Sequence, residues 1–339
     1  GFTQRDLSFT QLQEAAWVVV QTYQSAGWLV NALVPQQEIE AGVVTLRVVE
    51  ARLGQVRIDF PQTTLPQQLI RDMVDSQLSV GQALNLKQVD RLLLLLDDMP
   101  GVVATASFVE GTLAGHTDVH IVLGTDRLVD ANLIVDNFGA VSTGRQRISA
   151  NLSLSNPFGW GDALQLQAVT TDGSRYGRAA YTLPVGLQGM RVGFHATDMH
   201  YHLVESFVAL QASGAAFSWG LDFSAPLIRQ AERNLSAQLT TDRKRFNNLA
   251  LANSQASEAT TVSLYALDVL RAGLTGNWLD TVATAAQNTA NLQASWGKVN
   301  LNNSPNAVAD ANASKTDGNF SKLNVSFNRE QSLTGRTSA

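Results

Sequence analysis

Past Leu128 the sequence alternates apolar and polar residues with a period of two. Ile148, Ala150, Leu152 and Leu154 interleave with Arg147, Ser149, Asn151 and Ser153. Leu164, Leu166 and Ala168 do the same with Gln165 and Gln167, and Phe217, Trp219, Leu221 and Phe223 with Ser218, Gly220 and Asp222. Leu235, Ala237 and Leu239 alternate with Asn234, Ser236 and Gln238, and Leu292, Ala294, Trp296, Leu323, Val325 and Phe327 are late examples. Successive side chains of a strand point to opposite faces, so this period predicts strands with one apolar and one polar face. About ten to twelve such segments follow one another, each near the ~9 to 11 residues that a tilted strand needs to cross a bilayer. No helical periodicity interrupts them.

An apolar strand face must be covered. In a soluble sandwich a second sheet covers it; in an outer-membrane barrel lipid does, while the polar face lines an aqueous interior. The polar positions here are rich in Gln, Asn, Ser, Thr and Arg, and mean hydropathy is near zero, which favours the barrel. The apolar runs Ala15 to Val20 and Leu92 to Leu96 fall short of the ~18 residues of a membrane-spanning helix.

The first 128 residues follow another plan. Leu12, Ala15, Ala16, Val19, Val20 and Tyr23 recur at helical spacing over Thr10 to Ala26, with Gly27 closing the helix, and β-rich runs follow at Trp28 to Val34 and Val43 to Val49. A fuller unit comes next: a strand at Gly54 to Phe60, helices at Pro66 to Ser76 and Asn85 to Asp98, and strands at Val102 to Glu110 and Asp118 to Gly124. This β-α-α-β-β order closes a small two-layer core. The expected divisions are residues 1–51, 52–128 and 129–339.

Charge and chemistry exclude several classes. With 24 Lys+Arg against 29 Asp+Glu, the net charge of -5 supplies no basic surface for nucleic acid. The absence of cysteine excludes disulfides and thiolate metal sites. His195, Asp198, His200 and His202 invite a zinc reading, but a turn between two strands accounts for them as well, and no metal is expected. Asp97 and Asp98 read as solvated helix-end acids rather than a catalytic pair. No nucleophile elbow, phosphate loop or acid/base constellation occurs, so neither an enzyme nor a cofactor is expected. The chain opens at Gly1 without a charged and apolar leader, which is expected if an export signal has been removed.

Three stretches carry a resemblance. VGQALNLKQVDRLLLLLDDMPGVVATASFVEGTLAGHTDVHIVL (80–123) resembles the second polypeptide-transport-associated (POTRA) domain of two-partner secretion transporters, the ShlB/FhaC/HecB haemolysin secretion/activation family of the Omp85 superfamily. The likeness lies in the helix, the turn at Pro100 and Gly101, and the strand link with Gly111 and Gly115. YQSAGWLVNALVPQQEIEAGVVTLRVVEARLG (23–54) is similar to the end of the first such domain. Asp136 to Gly139, Thr143 to Arg145, Asn156 to Asp162 and Tyr181, Pro184 and Gly186 resemble the first barrel hairpins, so the likeness covers most of residues 9–245 in the family's order. It implies α+β POTRA domains in the periplasm, followed by an antiparallel transmembrane β-barrel in the outer membrane. Compared with the family pattern, the chain lacks the plug helix and opening POTRA elements, and the loop with an Arg-Gly-Tyr/Phe motif. The implied barrel is therefore incomplete, and residues 129–339 are expected as an open curved sheet with exposed edges.

The function that follows is recognition and passage of an unfolded polypeptide. An unpaired strand edge in a small α+β domain offers backbone groups to an extended chain. The candidate edge is Val102, Val103, Ala104, Thr105, Ala106 and Phe108, beside an apolar groove at Leu92, Leu93 and Leu96. Ala104 and Ala106 are expected to point their N–H groups outward and Thr105 inward. Arg145, Arg147, Arg175, Arg178 and Arg191 are candidates for a charged ring on the pore wall. The partners implied by the resemblance are a secreted exoprotein in extended form, of the large β-helical adhesin or haemolysin type, and outer-membrane lipid, with the transporter a monomer and no nucleic acid bound. Alternatives are an Omp85-type outer-membrane insertase, a passive porin or a soluble β-sandwich binding module.

Overall fold

The computed structural model describes residues 7–37, 43–60, 65–251, 257–282, 284–334 and 337–338. They form two compact units, Gly1–Asp98 with Val102–Thr125, and Met99–Gly101 with Asp126–Ala339.

In the first unit α1 (Phe9–Ser25) begins with a capping box: the Ser8 hydroxyl accepts from the Gln11 N–H, and the Gln11 side chain accepts from the Ser8 N–H at 2.9 Å. Ala26 is the C-cap, and Gly27 follows at φ +95°, a left-handed conformation that glycine adopts without steric cost. β1 (Val30–Leu33) and β2 (Arg47–Glu50) pair antiparallel. Then come β3 (Arg52–Asp59), α2 (Gln67–Gln77), α3 (Leu86–Asp97), β4 (Val102–Glu110) and β5 (His116–Thr125). The three strands form a sheet in the order β3-β5-β4, parallel between β3 and β5 and antiparallel between β4 and β5. A parallel pair needs a long crossover, and the two helices supply it.

The core of this unit lies between the helices and the sheet. Ile70, Met73 and Val74 of α2 and Val89, Leu92, Leu95 and Leu96 of α3 bury against Val119, Ile121 and Leu123 of β5. Each such side chain contributes about 1.5–3 kcal/mol of burial free energy. The preceding segment is tied to this core by backbone bonds: Leu29 N–H to the Leu84 carbonyl (3.2 Å), Ala51 N–H to the Leu29 carbonyl (2.9 Å) and Leu86 N–H to the Gly27 carbonyl (2.8 Å).

The second unit is one sheet of eleven strands among the described residues. They are β6 (Val129–Asp136), β7 (Arg147–Ser155), β8 (Ala163–Thr170), β9 (Ser174–Val185), β10 (Met190–His202), β11 (Ser213–Arg229), β12 (Arg233–Leu251), β13 (Ala259–Asp280), β14 (Ala286–Asn300), β15 (Gly318–Thr334) and β16 (Thr337–Ser338). Strands adjacent in sequence from β6 to β16 pair antiparallel, and no pairing closes β6 onto β15 or β16 among the described residues. The expected antiparallel, unclosed sheet is present.

Two details depart from the sequence expectation. β11, β12 and β13 run 17, 19 and 22 residues, well beyond the expected length, because their ladders continue past the apolar positions into polar ends. Helical turns also occur between strands: a 3-10 turn at Glu205–Leu210, and α4 (Ala307–Asn312), after which the Asp310 side chain accepts from the Thr316 N–H at 2.8 Å. These pieces are too short to show a helical period.

Candidate functional site

Directly opposed residues of an antiparallel ladder share a face, so the register sorts every strand residue of the large sheet. One face carries Leu133, Ala150, Leu166, Ala179, Phe194, Leu221, Leu239, Leu270, Leu292 and Val325. It is open: Leu133 is 71% exposed and Val325 70%. The other face carries Asn132, Asn151, Gln167, Arg178, Thr197, Ser218 and Lys244 in one cross-strand row. It is the sheltered one, with His195, Asp242 and Ser295 buried. A soluble protein does the reverse.

The sheltered face satisfies its own polar groups. Arg147 grips Asp136 through two nitrogens, at 3.1 and 2.9 Å. Tyr201 donates to Asn248 (3.2 Å), whose amide donates to Ser263 (2.8 Å), and Thr197 bonds Ser218. Asn234 donates to Asn277 (3.0 Å) and Asn291 to Ser326 (3.2 Å). Buried polar atoms without partners would be costly, and these ladders remove the cost.

At the centre stands a four-strand cluster that the sequence did not announce. His195 on β10 lies opposite Gly220 on β11, and its imidazole crosses that glycine to reach β12. Nδ1 is 2.6 Å from Asp222 Oδ2 and Nε2 is 3.0 Å from Asp242 Oδ1. Thr240 donates to Asp222 at 3.0 Å, and Arg271 on β13 bonds Asp242. A Cβ on Gly220 would fall 2.8 Å from His195 Nε2 and 2.3 Å from the Thr241 carbonyl oxygen, so glycine is the residue that lets the ring lie there. Asp222 and Asp242 do sit at polar positions of alternating runs, but only the register brings them to one histidine.

The candidate arginines separate. Arg147, Arg178 and Arg191 lie on the sheltered face; Arg191 donates to the Gly161 carbonyl and to Thr182, both at 3.2 Å. Arg145 precedes β7 and lies in the 137–146 connection, exposed, so it is not on the wall. Arg175 pairs across to Thr170 and His200 on the opposite, apolar face, because an odd offset from Arg178 reverses its direction. The predicted turn at His195, Asp198, His200 and His202 is instead the second half of β10, in which His195 faces inward and Asp198 and His200 outward, 3.1 Å apart. Among the described residues no group of three or more His, Asp or Glu side chains is arranged to hold a metal ion, the His195 cluster included.

In the first unit β4 is an edge strand of its sheet. Ala104 N–H points away from β5, yet it is occupied: it donates to Asp97 Oδ1 at 2.6 Å. Asp97, the last residue of α3, is therefore a backbone cap on the sheet edge and not a merely solvated acid, and Ala104→Pro would break an internal bond. By the same register Ala106 and Phe108 point their N–H groups outward, while Val103 and Thr105 face β5. Val102 and Ala104 are buried beneath the helices, whereas Val103, Thr105 and Phe108 are exposed. Leu92 and Leu96 are fully buried, so they are core and cannot line an open groove as expected, and Leu93 is only partly covered.

The sequence profile of the family described as haemolysin secretion/activation protein ShlB/FhaC/HecB matches residues 115–339. The chain is 25% identical over 282 residues to the heme/hemopexin transporter protein HuxB of Haemophilus influenzae, covering 82% of this chain and 48% of HuxB. It is 24% identical over 193 residues to the outer membrane transporter CdiB of Dickeya dadantii, covering 55% of this chain and 34% of that protein. Among solved structures, CdiB from Escherichia coli superposes with a TM-score of 0.73 at 18% identity, over 98% of this chain and 61% of CdiB, and so shares the fold. CdiB from Acinetobacter baumannii gives 0.61 at 18% identity, over 87% and 55%. The chain spans about half the length of the curated relatives it matches.

Proposed function

The chain belongs to the haemolysin secretion/activation protein family ShlB/FhaC/HecB, outer-membrane transporters of two-partner secretion in the Omp85 superfamily, and on that premise we propose that it passes an unfolded exoprotein across the outer membrane. Residues 129–339 form part of the barrel wall, residues 52–128 a POTRA domain, and residues 1–51 the end of a preceding one. The reading is carried by the inverted sheet: an open apolar face for lipid and a sheltered polar face for water, over eleven antiparallel strands. The ladders of that polar face already occupy one another's donors and acceptors, so an extended chain sliding past meets a wetted wall with few places to stick.

Orientation follows from the connections. Those at the end where β6 finishes span 137–146, 171–173, 203–212, 252–258 and 301–317, against 156–162, 186–189, 230–232 and 281–285 at the other. Outer-membrane barrels keep their short turns in the periplasm. The long connections then face the exterior, and the POTRA units lie in the periplasm. There the free part of the β4 edge, from Ala106 on, pairs with the exoprotein by strand addition.

The test compares Ala106→Pro, which removes an outward donor, with Thr105→Pro, which removes one from the β4–β5 ladder. Exoprotein in the medium is measured beside transporter in the membrane. Ala106→Pro should lower the former alone and Thr105→Pro both. If Ala106→Pro leaves secretion intact, β4 is not the docking edge.

A further inference from the structure

The open apolar face has a built feature at its border on the long-connection side. In one cross-strand row Trp219, Arg243, Asp268 and Lys298 stand side by side on β11, β12, β13 and β14. The next row towards the apolar band is Leu221, Thr241, Leu270 and Trp296. Between the two indoles lies a cleft of about 390 Å³, with Thr241 and Leu270 at its floor and Arg243 and Asp268 at its head. The tryptophans sit three strands apart, roughly 14 Å across the strands, and are offset by two residues, roughly 7 Å, along them. Both indoles are exposed along this face, at 40% and 49%.

The charges at the head are unbalanced. Arg243 Nε lies 3.5 Å from Asp268 Oδ1, and both side chains are about half exposed. Arg245, two residues on and opposite Phe217, and Lys298 have no carboxylate partner among the described residues. Asp198, in the row of Arg245, is two strands away and set against His200. Three cations therefore meet one carboxylate where the apolar band ends, whereas at the opposite border Arg329 is matched by Asp280 at 2.7 Å. A mixed cleft bounded by two indoles and Leu270 adjoins the lipid-facing surface, and a cationic head at membrane-surface depth complements a phosphate.

We propose that this cleft is a binding site for a phosphorylated membrane lipid of the outward leaflet, with an acyl chain between Trp219 and Trp296 and the phosphate held by Arg243, Arg245 and Lys298. The site rests on the reading of the apolar face as lipid-facing. Arg243 and Arg245 supply planar donor pairs suited to phosphate oxygens, and Lys298 a point charge.

The experiment uses the full-length protein in mild detergent and native mass spectrometry with diphosphorylated lipid A, its dephosphorylated form, phosphatidylcholine and inorganic phosphate. The diphosphorylated lipid should be retained at about tenfold lower concentration than the dephosphorylated one, and the triple variant Arg243→Gln, Arg245→Gln, Lys298→Gln should lose that preference. Thr241→Trp, which fills the cleft and leaves the charges, should weaken both lipids. Excess inorganic phosphate should not displace bound lipid. Equal retention of both lipid A forms by the wild type, an unchanged preference in the triple variant, or displacement by free phosphate would each overturn the proposal. Should the triple variant not assemble, the head-group comparison and Thr241→Trp still decide. Failure of the lipid-facing reading would look different: the protein would stay soluble when detergent is removed.

Discussion

Replacing His195 with alanine removes the imidazole that bridges Asp222 and Asp242. Asp242 keeps Arg271, and Asp222 keeps Thr240 and is 41% exposed, so water repairs part of the loss. His195 and Asp242, at 6% and 4% exposure, are not reached by water in the same way. Leaving a buried hydrogen-bonding group without its partner costs about 1–3 kcal/mol, and the loss of two such bonds places this variant near the upper end, about 3 kcal/mol. That is roughly a hundredfold change in the folding equilibrium. The assay is urea unfolding of the full-length protein in lipid vesicles, followed by tryptophan fluorescence and by gel mobility with and without heating. His195→Ala should unfold at clearly lower urea than wild type. Adding Asp222→Asn should restore part of the difference, since it replaces an acceptor that has lost its imidazole partner with an amide that can donate as well as accept. If His195→Ala unfolds with the wild type, the cluster does not clamp β10 to β13 and the reasoning fails.

Gly220→Ala should also destabilise, by about 1–3 kcal/mol in the same assay, because its Cβ meets the Thr241 carbonyl and the imidazole; a neutral or stabilising outcome would contradict the packing described. Leu92→Ala should cost the first unit about 2–5 kcal/mol, measured as increased protease sensitivity of residues 65–125, since Leu92 is core; wild-type resistance would place it in a groove after all. Asp59 is held below the usual carboxylate range, first by the hydrogen bond from His120 (2.8 Å) and then by Arg57 beside it. Its charged form is thus favoured by folding, so its contribution is complete above the ordinary carboxylate range and disappears as pH falls through the lowered value. The stability gap between wild type and Asp59→Asn should be present at about pH 7 and gone at about pH 2, and a gap of the same size at both would refute this.

The period-two runs of β7, β8, β11, β12 and β14 were legible because side-chain direction is written directly into alternation. So was the β-α-α-β-β unit, where Leu92, Leu95 and Leu96 mark the helix and the turn at Pro100 and Gly101 its passage into β4. Strand ends were not: β13 continues through Asp268 and beyond its apolar positions, where polarity looks like loop while the ladder persists. The His195 cluster was hidden for a different reason. His195, Asp222, Asp242 and Arg271 lie on four strands, and a histidine reaching across a glycine has no signature within any one of them. Asp97 was misread as solvated since its partner is a backbone N–H, which carries no sequence label. Arg175 and Arg145 leave the candidate ring because an odd offset along β9 turns Arg175 to the other face and Arg145 lies outside the strand, neither of which residue type reveals.

The central claim is that the large sheet faces lipid with one side and water with the other. These 339 residues contain no cysteine, so a single cysteine introduced among them is the one thiol of the sheet. Gln165, Leu166, Gln167 and Ala168 on β8, and Asn291, Leu292, Gln293 and Ala294 on β14, alternate between the faces. Each is replaced in turn by cysteine in the full-length protein and treated in intact outer membranes with a membrane-impermeant maleimide or a lipid-soluble one. Cysteines at Gln165, Gln167, Asn291 and Gln293 should react with the impermeant reagent, and those at Leu166, Ala168, Leu292 and Ala294 with the lipid-soluble one alone. Equal reaction of both sets with the impermeant reagent, without alternation along either strand, would contradict it.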